Sequence, residues 1–371
     1  MKFTCLIENF KKGVSVSEKI TSLNLSLPIL NNILLTTTSN NKLQISATDL
    51  EIGLNFLVSG KVEEKGSILI PSRLLANLLN NLKDEKITLE TKDNTLKIQT
   101  KNSEFTIQGA NQEEYPIIPQ IDSLQYFEIN SKLLESSLIK LVKSAGAGLS
   151  RPELNSVYLY QKNNDFYLVS TDTFRLGEKK ISLDEIKSNI TNPISAIIPI
   201  KTAQEILRII PTLEKPVNVK IYINSSQIFF DFETANLISR LIEGEYIQYK
   251  SIIPSAFETE IILNRQELID AIKLVSLFTS KINDINLEVI TENHEIKIQS
   301  QDITLGQGIS KIKGDISGKP LNISFNFRYL LDGIESLEGE QVFIGLSEDK
   351  PALIKNVDDD SFLYVTAPIK L

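Results

Sequence analysis

The sequence predicts an α+β protein of three repeated domains, each with two helices packed on antiparallel sheet. Two observations carry this prediction. The same order of segments, an apolar strand, an amphipathic helix, alternating strands, a second helix opened by Pro or Asn, and more strands, occurs three times. Within each copy the hydrophobic period switches between two, which suits a half-buried strand, and 3.6, which suits a one-sided helix.

Each copy opens by running from strand into helix: KFTCLIENF (2–10), FEINSKLLESSLIKLVKSAG (127–146) and IILNRQELIDAIKLVSLFTS (261–280). Leu134, Leu138 and Leu141 of the second copy match Leu268, Ile272 and Val275 of the third, an i, i+4, i+7 stripe that marks one buried helix face. Next come LPILNNILL (27–35), RPELNSVYLY (151–160) and the looser INDINLEVI (282–290). Each precedes an alternating strand pair: LQISATDLEIGLNFLV, FYLVSTDTFRLGEKKI and IKIQSQDITLGQGISKI. The second helices are PSRLLANLLNNL (71–82), PIKTAQEILRIIPTL (199–213) and NFRYLLDGIESL (326–337), where Pro or Asn suits the first turn. Copies one and two close on EEYPIIP (113–119) and EYIQYKSIIP (245–254), and copy three ends in FLYVTAPIKL. Domains at 1–121, 122–254 and 255–371 follow, each with two helices and roughly eight short strands joined by turns such as Lys92-Asp93-Asn94 and Asn163-Asn164-Asp165.

A chain that is 42% hydrophobic with 13 Pro and 16 Gly can bury a core in every domain. No apolar run approaches the ~18 residues of a membrane span, and MKFTCLIENFKKG carries no secretory h-region. The single cysteine, Cys5, excludes an internal disulfide, fits a reducing cytoplasm and reads as a small apolar residue of the first strand.

Catalytic chemistry is nearly absent. The lone histidine, His294, sits in a TENHEIKIQ turn and reads as solvated; one His and one Cys build neither a zinc site nor a thiol dyad. There is no Gly-rich phosphate loop and no paired-Asp metal motif. Asp49, Glu51 and Asp172 read as turn carboxylates at equivalent repeat positions. The sequence therefore predicts no enzyme, no metal and no cofactor.

Charge is distributed unevenly. The helical windows 8–23, 71–83, 130–143, 199–213, 264–281 and 325–337 together carry +6, which leaves −14 on the remainder of a chain whose net charge is −8. Lys12, Lys19, Arg73, Lys132, Lys140, Lys143, Lys201, Arg208, Lys273 and Lys281 could form a basic face for a polyanion, with an acidic face elsewhere. Lys and Arg are also ordinary solvent-side helix formers, and their recurrence across the three copies favours the basic face.

Over its full length the chain resembles the bacterial DNA polymerase III β subunits, the replicative sliding clamps. The resemblance rests on LPILNNILL, on ATDLEI and STDTFRL, on LIEGEYIQYKSIIP and on the terminal YVTAPIKL, in this order and spacing. It implies clamp-type domains and a head-to-tail homodimer: six domains in a ring, twelve helices lining the hole and strands forming the rim. The ring would hold duplex DNA topologically, with loose phosphate contacts from the helix residues above and from Arg151 that carry no sequence information.

The resemblance also places Phe105 and Ile107 of domain one against Leu277 and Phe278 of domain three across the subunit interface. It further implies a peptide pocket between domains two and three, lined by Leu154, Thr171, Thr173, Phe174, Arg175, Leu176, Ile247, Ile252, Val365, Thr366, Ala367, Pro368 and Ile369, with Asn326, Tyr329 and Ser347 at its rim. Such a pocket would receive short motifs of the polymerase catalytic subunit, the clamp loader, repair polymerases, and ligase or mismatch-repair proteins. The implied location is the cytoplasm, at the nucleoid. Thr173-Phe174, Tyr246-Ile247-Gln248-Tyr249, Ser251, Ala367, Ile369 and the Asn24-Leu25 stretch depart from the family's usual residues. A repeat-built scaffold that ignores DNA, and an enzyme whose site is assembled between domains from Asp, Glu, Lys and Tyr, are the alternatives that composition leaves open.

Overall fold

The computed structural model describes residues 1–21, 27–119, 125–146, 148 and 151–370. Asn24, Leu25, Leu371 and the expected boundary at 121 lie outside these residues.

The first repeat runs β1 (Lys2–Leu6), α1 (Ile7–Ile20), β2 (Asn32–Thr37), β3 (Lys42–Thr48), β4 (Ile52–Ser59), β5 (Lys61–Glu64), β6 (Ser67–Pro71), α2 (Ser72–Asn81), β7 (Lys86–Lys92), β8 (Thr95–Gln99) and β9 (Glu104–Gln108). The second runs β10 (Phe127–Asn130), α3 (Ser131–Val142), β11 (Ser156–Lys162), β12 (Asp165–Thr171), β13 (Arg175–Ser182), β14 (Lys187–Ser188), β15 (Ser195–Pro199), α4 (Ile200–Ile209), β16 (Asn218–Ile223), β17 (Gln227–Asp231) and β18 (Ala235–Arg240). The third runs β19 (Thr259–Asn264), α5 (Arg265–Val275), β20 (Asp284–Ile290), β21 (Glu295–Asp302), β22 (Gly306–Lys313), β23 (Asp315–Gly318), β24 (Leu321–Asn326), α6 (Phe327–Glu335), β25 (Gln341–Leu346), β26 (Ala352–Asn356) and β27 (Phe362–Thr366).

The described residues thus hold two helices and nine strands per repeat, where the sequence predicts roughly eight. The unforeseen strand is the fifth, KVEE, KS or DISG, which is too short and polar to show apolar alternation. Pro71 and Pro199 close a strand immediately before each helix, and Asn326 caps α6 by accepting from the Arg328 amide. The expected helix stripe is buried: Leu268, Ile272 and Val275 in α5, and Leu134, Leu138 and Leu141 in α3. Burying each such side chain stabilises the fold by about 1.5–3 kcal/mol. Gly13 lets α1 lie close on β3 and β4, since a Cβ there would stand 2.7 Å from the Ile45 side chain.

The chain packs as two compact units, Met1–Glu135 with Asp184–Asn192 and Lys201–Ile242, and Ser136–Leu183 with Pro193–Ile200 and Glu243–Leu371. Sheet order explains why the division cuts the middle repeat. The first unit holds the sheets β5-β1-β7-β8-β9 and β14-β10-β16-β17-β18-β4-β3-β2-β6. The second holds β15-β11-β12-β13-β27-β26-β25-β19-β23 and β22-β21-β20-β24. Each nine-stranded sheet joins two repeats by one antiparallel pair, the ninth strand of one repeat on the fourth strand of the repeat before it: β18 on β4 and β27 on β13. Among the described residues, β9 and β22, the ninth strand of repeat one and the fourth of repeat three, each keep one open edge.

Candidate functional site

The residues expected to line a peptide groove lie in the second unit, around the turn between β12 and β13. Asp172 folds this turn by accepting the Phe174 and Arg175 amides, each at 2.9 Å, while Thr171 donates its hydroxyl to the Arg175 carbonyl at 2.6 Å. Thr173 takes a left-handed φ of 79°, as Leu50 does with 78° in the equivalent turn of repeat one. The Phe174 ring is left 60% exposed, stacked 6.5 Å from Tyr329.

Arg175 ties the turn to α6: it bonds Asp172 at 2.9 Å and Asp332 at 2.5 Å, and its guanidinium lies 4.3 Å over the Tyr329 ring. The C-terminal strand closes the other side. Leu176 pairs with Val365 and Arg175 with Thr366, the Ala367 amide donates to the Phe174 carbonyl at 2.8 Å, and the Ile369 amide donates to the Ser324 carbonyl at 2.8 Å. Leu154, Leu176, Val365 and Thr366 are buried; Ile247, Ala367, Pro368 and Ile369 are partly buried; Ile252 is exposed. Ile247 packs on a core cluster that contains both Leu176 and Val365.

Two expected rim residues have local hydrogen-bond partners. The Asn326 side chain caps α6, and Ser347 is buried with its hydroxyl accepting the Glu258 amide at 3.2 Å. Sequence reasoning placed Asp172 in its turn but missed that it and Asp332 pair with Arg175, and it also missed a tyrosine stack that runs from Tyr246 onto β11 and β12. There Tyr246, Tyr158, Tyr160 and Tyr167 follow one another at 4.6, 5.0 and 5.0 Å. The alternating tyrosines of SVYLYQK and the single tyrosine of DFYLVST were the available signal.

The basic helix residues divide by partner. Lys12 pairs with Glu8, Lys19 with Glu18, Arg151 with Glu153, Lys201 with Asp49, Arg208 with Glu205 and Lys273 with Glu335. Lys143 approaches Asp332 and Glu335 at 3.8 and 3.6 Å. Arg73, Lys132 and Lys281 are exposed and carry no ion pair among the described residues. Lys140 departs from the expected solvent-facing role: it is buried, bonded to Glu338 at 2.9 Å and set 5.6 Å over the Phe362 ring.

Asp49 and Asp172 act as turn carboxylates, each accepting two backbone amides of its own turn. No His, Cys, Asp and Glu cluster suited to a metal ion occurs among the described residues, and no helix there is long and apolar enough to cross a membrane. Of the expected subunit contacts, Phe105 is half-buried on β9, Ile107 is buried, Leu277 is 67% exposed, and Phe278 lies over Gly308 of β22.

Three family models match in succession: the N-terminal, central and C-terminal domains of the DNA polymerase III beta subunit, at residues 1–119, 128–248 and 250–370. The beta sliding clamps of Staphylococcus epidermidis and Staphylococcus aureus are 25% and 26% identical to the chain, each aligned over all of it and 99% of the relative. Among solved structures, the DNA polymerase sliding clamp from Bacillus subtilis matches with a TM-score of 0.91 at 25% identity, over 100% of this chain and 99% of that one. A Pseudomonas aeruginosa sliding clamp bound to griselimycin matches with 0.92 at 24% over the whole of both chains.

Proposed function

The chain belongs to the DNA polymerase III β-subunit family, the bacterial sliding clamps, and from that premise we propose that it closes into a head-to-tail homodimeric ring around duplex DNA and tethers the replicative polymerase there. The observation that carries this reading is the pair of open edges on β9 and β22. A five-stranded half meets a four-stranded half at each joint within the chain, and the remaining halves have five and four strands. A second copy supplies the missing partner for both, giving a heterologous interface that closes after two subunits and removes two pairing hazards.

In such a ring the chain acts as a processivity factor without chemistry of its own. Holding is topological, so base contacts, which would stop sliding, are unnecessary. Exposed Arg73, Lys132 and Lys281, with the more loosely paired lysines, supply the phosphate attraction; Lys140 contributes packing instead. The groove beside Phe174 receives short peptides with apolar anchors from the polymerase catalytic subunit, the clamp loader, repair polymerases, and ligase or mismatch-repair proteins. The place of action is the cytoplasm, at the nucleoid, and the domains divide near 121 and 254.

The test is retention on circular against linearised DNA after loading by a clamp loader, with the mass of the bound species measured in the same sample. Retention on circles with loss from free ends is expected. Equal loss from both would replace the clamp by a scaffold that does not encircle DNA.

A further inference from the structure

Asn77, Glu205 and Asp332 are each the sixth residue of their repeat's second helix, and only Glu205 is a buried acid. Asp332 is partly exposed and is met by Arg175, three residues after the turn carboxylate Asp172. Three residues after Asp49, the matching turn carboxylate of repeat one, stands Ile52, a buried side chain with nothing to donate. Glu205 consequently keeps one ion pair, from Arg208 to a single oxygen, and its Oε2 is buried without a hydrogen-bond partner among the described residues.

An ionised carboxylate with a bare oxygen in the interior is penalised by desolvation, so a proton competes with Arg208 for it. Burial pushes the Glu205 pKa up; Arg208 and Lys201 of the same helix pull it down, and Asp49 of the β3–β4 turn adds to the rise. Lys201 is itself bonded to Asp49. From β18 comes the Ser239 hydroxyl, 2.7 Å from that of Thr202, while Arg240 alternates to the other face of the strand. Lys19 of α1, at the place that Lys143 holds after α3, pairs with Glu18 at 2.9 Å. The two cations reach solvent where the acid does not: the side chains of Arg208 and Lys201 are 44% and 43% exposed, and that of Glu205 is 1% exposed.

Resting on the duplex-DNA reading above, we propose that Glu205 is a positioning residue for DNA contact: it holds Arg208 while the chain is free, and takes up one proton from solvent when a backbone phosphate draws Arg208 away. In this exchange the guanidinium moves its hydrogen bond from the Glu205 carboxylate to a phosphate oxygen, and the carboxylate left behind binds the proton. A buried ion pair gives way to a neutral buried acid and a cation–phosphate pair in solvent. A phosphate on Lys201 acts in the same direction, since it offsets the other positive charge that keeps Glu205 ionised. Few other groups of the chain titrate near neutrality. His294 is its single histidine and lies in the turn between β20 and β21, and burial pushes the Cys5 thiol up to about 12.

The test follows binding of a labelled short duplex to the full-length chain by anisotropy, from about pH 6 to about pH 8, above the ordinary carboxylate range, at fixed low ionic strength. Calorimetry in two buffers of unlike ionisation enthalpy counts the protons. The parent should gain affinity on acidification, by up to about tenfold per pH unit for each protomer engaged, with proton uptake on binding. Glu205→Gln, which keeps an oxygen for Arg208 without the charge, should bind about three- to tenfold tighter than the parent at the alkaline end, converge with it toward acid, and take up no proton. Arg208→Gln should bind more weakly at every pH and also lose the uptake, because Glu205 is then protonated before DNA arrives. A purely structural Glu205 would leave the proton count unmoved. Duplex binding without uptake by the parent, or with equal uptake by Glu205→Gln, overturns the positioning role and leaves the DNA reading standing. No duplex binding by the parent at any of these pH values overturns the DNA reading and this role with it.

Discussion

Tyr249 donates its hydroxyl to the carboxylate of Glu178, a buried side chain of β13, and so fastens the connector after repeat two across the sheet that joins repeats two and three. Lys250 bonds the same carboxylate at 2.6 and 2.9 Å, and the Tyr160 and Tyr249 hydroxyls lie 2.7 Å apart. Removing the Tyr249 hydroxyl leaves a buried acceptor short of one donor, at a cost of about 1–3 kcal/mol. Tyr249→Phe should therefore lower the urea midpoint of the chain. A midpoint equal to that of the parent would show that Lys250 alone satisfies Glu178.

Phe174 is the most exposed apolar side chain among the residues proposed to line the peptide groove. Its truncation should remove apolar area without disturbing the turn, which is held by Asp172 and Thr171. Phe174→Ala is expected to weaken binding of a labelled peptide with Leu and Phe anchors by about 1–3 kcal/mol, measured by fluorescence anisotropy. Unchanged affinity would place the peptide elsewhere.

Lys140 should behave as a structural residue. Lys140→Met keeps its stem against Phe362 but leaves Glu338 unpaired, so thermal stability is expected to fall while affinity for a short duplex holds. Substituting Glu at Arg73, Lys132 or Lys281 should do the reverse. Each phosphate partner removed lowers the slope of log affinity against log salt by about 1, and titrations across NaCl would reveal it. Equal slopes for these variants and the parent would remove the three residues from the DNA face.

Glu205 sets a pH dependence. Burial pushes its pKa up, against the pull of Arg208 and Lys201, so the folded chain holds this proton more tightly than the unfolded one. The contribution to stability consequently falls as pH rises from the ordinary carboxylate range through the folded pKa, and is restored on acidification. Glu205→Gln, which keeps an oxygen for Arg208, should be more stable than the parent at neutral pH, with the gap closing toward acid. A gap that stays constant with pH would exclude the titration of Glu205 as its source.

Burial pushes the Cys5 thiol up to about 12. At pH 8 the reactive thiolate is on the order of one in ten thousand, so iodoacetamide should leave the native chain unmodified for hours and label it promptly in urea. Rapid native labelling would mean that β1 opens readily.

The repeat pattern makes the fold legible because buried positions recur at the same places: Leu134, Leu138 and Leu141 align with Leu268, Ile272 and Val275 from the sequence alone, and all six are buried. The Pro28–Asn31 and Pro152–Leu154 turns, both 3₁₀, are likewise marked by their prolines. What stays hidden depends on partners from another repeat. The spacing of Leu134, Leu138 and Leu141 identifies the inner face of α3, yet nothing near Lys140 announces Glu338 or Phe362, which come from repeat three. The same holds for Arg175, whose second carboxylate is Asp332. Leu274, 61% exposed, reads as a helix residue like any other, and Leu277 is singled out only through the family resemblance.

Sharing the middle repeat between two sheets also orders events during synthesis. β4 has left the ribosome long before β18, its neighbour from Ala235 onward, exists, and β13 waits for β27, whose last residue is Thr366. Nascent repeats therefore carry open strand edges until the chain is almost finished. A translation product cut short before Phe362 would leave β13 and β26 both without β27, two open edges by which a cell's quality control could distinguish it from the finished protein.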